Sequence, residues 1–292
     1  MPRYASIALP STLDTFTRLK SENDRTGGMS TPRSLAVAGA TGGAGATRLV
    51  VETAAVLART GRDVAVFDAA FATQGLAQYV PGRVDVDATR LLAADGCGSR
   101  VDDVAPSDAL VDLDPELADS PDDEASGRIA VCPARASFTG LSGAKTPDAA
   151  ERFETVLGET ADAFDCVLVD VPPIAANQHV AAVAATDRVA LVAPDSRRGA
   201  DALPRLRDRL ADLDADSPGD FVVANRVTDA PVISEPAVAV PEGDVVDPTA
   251  APVAGTADGG AFPAAILDLA TTAFDLDSDL DLAPRSVTDR LF

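Results

Sequence analysis

Gly39-Ala40-Thr41-Gly42-Gly43-Ala44-Gly45-Ala46-Thr47-Arg48 is the stretch whose reading decides the rest. It follows the apolar run Leu35 to Ala38 and opens a long Ala/Val/Leu segment, Leu49 to Leu57. Strand, glycine-rich turn and helix in that order bare backbone N–H groups at a helix N-terminus, which is how a protein cradles a phosphate. Gly42, Gly43 and Gly45 permit a tight turn and close backbone approach, and the amides of Ala44, Ala46 and Thr47 fall at the helix start. A phosphate loop ordinarily carries a lysine just before its Ser/Thr. Here that position is Ala46, so the loop reads as a phosphate cradle with its main cation removed.

Outward from the loop, hydrophobic periodicity predicts a β-α alternation. A helix over about 46–60, with Val50, Ala54 and Leu57 on one face, ends at Gly61. Strand 63–68 is a continuous apolar run closed by Asp68, as expected of a parallel strand buried on both faces. Short helical pieces are expected at 73–79 and 85–93. Residues 102–127 carry ten Asp and Glu and are read as a solvated acidic loop. Strand 128–132, helix 147–163, strand 165–170, helix 176–185, strand 187–193, helix 201–213 and strand 220–225 follow. The Pro/Gly-rich segment 228–260 has room for a short strand at 237–240, and a last helix spans about 262–274. The expected fold is a single α/β domain over 34–274, of the P-loop NTPase-like kind, with a mostly parallel sheet and helices on both faces. Residues 1–33 are read as a disordered N-terminal tail, with Met29 a possible true start, and 275–292 as an acidic C-terminal tail.

Composition narrows the function classes. The net charge is −22, Asp outnumbers Glu 37 to 9, and Lys20 and Lys145 are the only lysines. An Asp-rich, Lys-poor, low-aromatic chain resembles proteins of salt-loving archaea. In molar salt the Debye length is only about 3 Å, so net charge says little about partners. Cys97, Cys132 and Cys166 are widely spaced and form no CxxC, so they are read as reduced thiols. With His179 the sole histidine, a His-based zinc site or a Ser-His-Asp triad is excluded, and His179 is assigned no role. No run approaches the roughly 18 apolar residues of a membrane span, and no signal-peptide core is evident, so a cytoplasmic protein is expected. Arg197, Arg198, Arg205, Arg207 and Arg209 form the one basic concentration. Asp201, Asp208 and Asp212 interleave with them, so a solvated, salt-bridged face is expected there and nucleic acid is not.

The glycine pattern admits two families. Gly39 to Gly45 matches GATGxxG, the dinucleotide loop of short-chain dehydrogenases. That chemistry needs Tyr-x-x-x-Lys, with the lysine lowering the phenol's pKa, and neither Tyr4 nor Tyr79 has a lysine four residues on. The same spacing resembles the ParA/MinD family of deviant-Walker P-loop ATPases, over nearly all of Ser34 to Phe274. The family's K-G-G-x-G-K-T falls on Thr41 to Thr47, and its Asp-x-Asp on Asp68-Ala69-Ala70. D-x-x-x-x-D-x-P-P falls on Asp165 to Pro173, the "aDrvvlV" strand on Asp187 to Val192, and "vvNrv" on Val222 to Val227.

This resemblance implies Mg²⁺ and ATP. Thr47 would ligate the metal, Asp68 and Asp170 would act through water on the metal side, and Asn225 would read the purine. Together with the loop residues Gly42, Gly43, Ala44, Gly45, Ala46 and Thr47, these form the candidate site. It also implies three losses. Thr41 replaces the lysine that reaches the partner's phosphates, Ala46 replaces the P-loop lysine, and Ala70 replaces the carboxylate that places the attacking water. Losing one stabilising donor typically costs about 10²–10³ in rate, so no catalytic residue is assigned. Weak nucleotide binding and an empty, structural loop both remain open. Arg48, one residue along the helix, points roughly 100° away from the lysine's direction. The expected function is that of a degenerate ParA/MinD-like pseudo-ATPase, acting with a second copy of itself or a paralogous ATPase in regulation or positioning. The alternatives are a slow ATP-dependent dimerising switch and an NAD(P)-binding GATGxxG protein. The family's basic amphipathic membrane helix is missing, and Asp275, Asp277, Asp279 and Asp281 would repel anionic lipid, so no membrane anchor is expected.

Overall fold

The order in which strands neighbour one another separates the two families. In the computed structural model, residues 31–93, 104–113, 127–213, 219–228, 230–245, 247–254 and 260–276 are described. Eight strands make one sheet: β1 (Ser34–Gly39), β2 (Val64–Asp68), β3 (Val111–Asp112), β4 (Ile129–Cys132), β5 (Cys166–Val171), β6 (Arg188–Pro194), β7 (Phe221–Val227) and β8 (Val238–Pro241). Their order is β3-β4-β2-β5-β1-β6-β7-β8, parallel except for the edge pair β3–β4. β1 therefore lies between β5 and β6, not beside β2. A dinucleotide-binding sheet of order 3-2-1-4-5-6 keeps its first two strands adjacent. The dehydrogenase alternative falls on that point.

Alternation along the strands sorts the core into two layers. Leu35 and Val37 of β1, Val64 and Val66 of β2, and Leu168 of β5 face one side. They pack there with α1 (Ala46–Arg59) and the last helix (Ala261–Phe274). Ala36, Ala38, Ala65, Phe67, Val167 and Val169 face the other. They are covered by α2 (Ala88–Leu92), α5 (Pro147–Ala163), α6 (Asn177–Ala184) and α7 (Arg197–Asp212). With both faces buried, the central strands can be almost wholly apolar. That is why β1, β2 and β5 read as continuous hydrophobic runs.

Two small helices complete the numbering, α3 (Pro106–Ala109) and α4 (Phe138–Gly143), and the last helix is α8. The part of the acidic segment described at 104–113 is not a solvated loop: it holds α3 and the edge strand β3, with Ala109 and Leu113 buried. Pairing of Val111 with Val131 supplies the backbone partners that this acidic sequence does not advertise. α7 begins at Arg197, four residues before the expected 201, because the Ser196 hydroxyl accepts the Gly199 amide as an N-cap. The expectations for residues 1–30, most of the acidic segment, Cys97 and 277–292 lie outside the described residues.

Candidate functional site

Gly39, Asp68, Asp170, Pro194 and Asn225 all stand at or near the C-terminal ends of parallel strands, the edge where such sheets take ligands. The glycine loop leaves β1 at this edge. Gly43 and Gly45 have φ of 77° and 92°, the left-handed region that only glycine enters without strain. Gly42 and Gly43 are exposed, whereas Ala44 is buried. The Ala44 amide donates to Thr41 O at 3.2 Å, so it is engaged within the turn. No side chain caps α1. Its first-turn amides, including those of Ala46 and Thr47, are thus the donors every helix start leaves unsatisfied.

On the β5 side of the loop, the Thr47 hydroxyl donates to Asp170 Oδ2 at 2.6 Å. Asp68 and Asp170 are register partners across β2 and β5, and both are essentially inaccessible. The Asp68 carboxylate accepts the amides of Ala70 at 2.7 Å and Ala134 at 3.3 Å. Burial, then the neighbouring Asp170 charge, push Asp68 up to about 8. Burial pushes Asp170 up to about 6, against the opposing effect of the Thr47 hydrogen bond. Ala70, after β2, offers no carboxylate.

On the β7 side, Asn225 is buried against the loop. Its Nδ2 donates to Ala44 O at 2.8 Å and its Oδ1 accepts the Arg226 amide. A Cβ on Gly45 would lie 2.3 Å from Asn225 Nδ2, so this contact requires the glycine. Arg226 follows with φ 60° and sends Nη1 to Gly43 O at 3.3 Å. Sequence reading gave Arg226 no role. Its signal was slight: a basic residue immediately after the last buried residue of a strand. Asp195, at the end of β6, was also passed over. It accepts the amides of Val232 and Ile233 through Oδ1 and so fixes the segment after β7.

Arg48 serves the fold. Its Nε donates to Glu52 at 2.6 Å and its Nη1 to Val245 O. Glu52, fully buried, also accepts the amides of Val253 and Ala254, so the pair ties the C-terminal segment to α1. His179 is buried, with Nδ1 accepting the Ala175 amide, and burial pushes it down to about 4. Arg197, Arg198, Arg205 and Arg207 are exposed and, among the described residues, form no ion pair. That face of α7 is solvated but not salt-bridged as expected, because the interleaved Asp side chains do not close on the guanidiniums. A cavity of about 380 Å³ opens at the opposite edge, beside Arg33, Arg62, Cys166 and Phe274. It lies far from the strand ends that carry the glycine loop. Among the described residues no helix is long and apolar enough to cross a membrane.

Whether these groups suit Mg²⁺ can be judged from their donors. Among the described residues no cluster of three or more His, Cys, Asp and Glu could hold a metal alone. Mg²⁺ instead favours one or two protein oxygens completed by phosphate and water. A hydroxyl bonded to one carboxylate, with a second carboxylate beside it, is such a set. The phosphate side has backbone donors but no lysine at Thr41 or Ala46.

Similar folds occur among solved structures. MinD, the septum site-determining protein from Pyrococcus horikoshii complexed with Mg-ADP, is 15% identical over 82% of this chain and 94% of its own, with a TM-score of 0.63. The MinC:MinD cell division complex of Aquifex aeolicus gives 20% identity, 84% and 96% coverage, and a TM-score of 0.65. A ParA family ATPase from Chlorobium tepidum gives 17%, 82% and 98%, with a TM-score of 0.60. No family model and no curated protein matches the sequence. At these identities the likeness is one of fold: a single α/β domain of the MinD/ParA kind.

Proposed function

We propose that this chain is a ParA/MinD-like nucleotide-binding protein that has lost ATP hydrolysis and works as a pseudo-ATPase, through the partners it engages. The observation that carries the reading is an asymmetry within one site. The metal side keeps its hydroxyl and carboxylates in hydrogen-bonded geometry, Thr47 to Asp170 at 2.6 Å with Asp68 beside them. The hydrolytic positions Thr41, Ala46 and Ala70 carry no charge. Phosphoryl transfer is mostly positioning and charge stabilisation, so a site with this pattern retains binding and forfeits rate.

In this reading the loop amides and Asn225 hold the nucleotide, while Thr47, Asp170 and Asp68 hold Mg²⁺, directly or through water. The metal supplies positive charge that the chain itself omits. Its charge would also offset the burial that raises Asp68 and Asp170. The MinD neighbour complexed with Mg-ADP supports this assignment, and the MinC:MinD complex supports a protein partner. That partner is a second copy or a paralogous ATPase, in a regulatory or positioning role in the cytoplasm. Calorimetry with ATP and Mg²⁺ in molar KCl, paired with a phosphate-release assay, tests it. Binding without turnover is expected. Robust turnover, lost in Asp170→Ala, would return the protein to the slow dimerising switch.

A further inference from the structure

We infer that Arg226 supplies the phosphate-facing cation that the glycine loop lacks, reaching it from β7 rather than from the loop's own sequence. The inference rests on the nucleotide-binding reading above. A phosphate loop needs positive charge near the terminal phosphates, and neither Thr41 nor Ala46 brings it. Arg48 is turned to the fold instead: its charge is paired with the buried Glu52 carboxylate and its Nη1 is held by Val245 O. Arg226 is different in each respect. Its side chain is exposed, and among the described residues it has no carboxylate partner. Among the described residues one side-chain hydrogen bond holds it, Nη1 to Gly43 O at 3.3 Å, at the rim where Gly42 and Gly43 are open to solvent. A guanidinium has five donors in a fixed fork, so a single long bond leaves most of them available to an anion.

The backbone has been shaped to put it there. The β7–β8 register shifts between Asn225 and Val227, and bulges of this kind re-aim a side chain. Arg226 itself sits at φ 60°, a strained choice for an arginine, of the sort that persists where function requires it. Asn225 anchors the turn by donating to Ala44 O, which fixes the arginine one residue on against the next carbonyl back along the loop. The predicted ligand is a di- or triphosphate. Arg226 acts on its phosphates through the guanidinium, while Asn225 is the residue offered to the base.

The test is a phosphate ladder. Binding of AMP, ADP, ATP and inorganic tripolyphosphate, each with Mg²⁺, is measured in molar KCl for the full chain and for Arg226→Ala and Arg226→Lys. Affinity is expected to rise from AMP to ATP in the natural protein. Arg226→Ala should lose about ten- to a hundredfold for ATP and tripolyphosphate, as befits a charge-assisted hydrogen bond, with AMP changed little and Arg226→Lys intermediate. Should the alanine variant fold poorly, Arg226→Gln keeps the length and removes the charge. Undiminished ATP affinity, or an equal loss across the ladder, overturns the assignment and leaves the nucleotide-binding reading standing. No binding of any member by the natural protein overturns both.

Discussion

Asp68 and Asp170 lie on the β5 side of the glycine loop, Asn225 and Arg226 on the β7 side, and the two pairs are incomplete in opposite senses. The first is a pair of carboxyls that burial holds above their ordinary range. The second is bonded to the loop carbonyls of Ala44 and Gly43 and ends in an exposed cation that, among the described residues, has no carboxylate partner. A magnesium-bound phosphate would complete both. What the comparison teaches is that this loop carries no charge at Thr41 or Ala46, while the strands on either side present carboxyls and a guanidinium to it.

The severest way to break the β7 side is Gly45→Ala. The new methyl would meet Asn225 Nδ2 in a residue held at φ 92°. Strain and overpacking together should cost about 2–5 kcal/mol, read as a lowered denaturation midpoint. Adding Asn225→Ala should restore part of it by opening the space.

The β5 side is sharpened by pH. A carboxyl whose folded pKa lies above its unfolded value binds more protons when folded, so its contribution is fully present below about pH 4 and lost as pH rises through the folded value. Without divalent cations, the thermal midpoint should therefore carry a component that declines from about pH 4 and levels off once both carboxyls have ionised, by about pH 8. Asp170→Asn should flatten the decline by removing the repulsion. Mg²⁺ with nucleotide should oppose it most at the alkaline end, where the carboxylates are free to bind. A midpoint that rises with pH in both proteins would show that the pair is not strained as described.

Smaller effects separate the sides further. Asn225→Ala leaves Ala44 O without its donor and should destabilise by about 1–3 kcal/mol, checked by chemical denaturation. Thr47→Ala removes one hydrogen bond to Asp170 and should cost about 1 kcal/mol. Its larger consequence should be loss of the Mg²⁺ dependence of nucleotide binding, which Asn225→Ala leaves intact.

Much of this was legible in the residues because it is local. β1, β2 and β5 are apolar runs closed by Gly39, Asp68 and Asp170, and a strand buried on both faces leaves that pattern in any sequence. α5 was readable from the spacing of Phe153, Val156 and Leu157 on one face, while its Thr146 cap emerged only with the fold. What stayed hidden depends on neighbours distant in sequence. β3 exists through its pairing with β4. α4 is six residues with two glycines, started by the Ser137 cap. The departure of Arg226 from regular strand geometry arises where β7 meets β8 and the loop, which no periodicity records. Likewise Arg48 was known to point away from the loop, but its tie to Glu52 and the 245–254 segment required the fold.

The central claim is that nucleotide is held and not hydrolysed. The direct measurement is to load the protein with ATP and Mg²⁺ in molar KCl, separate it from free nucleotide, and follow the identity of what stays bound over hours. The account predicts intact ATP, retained in an amount comparable to the protein and reduced in Thr47→Ala. Conversion of the bound ATP to ADP within minutes, abolished in Asp170→Ala, or recovery of protein carrying no nucleotide at all, would contradict it.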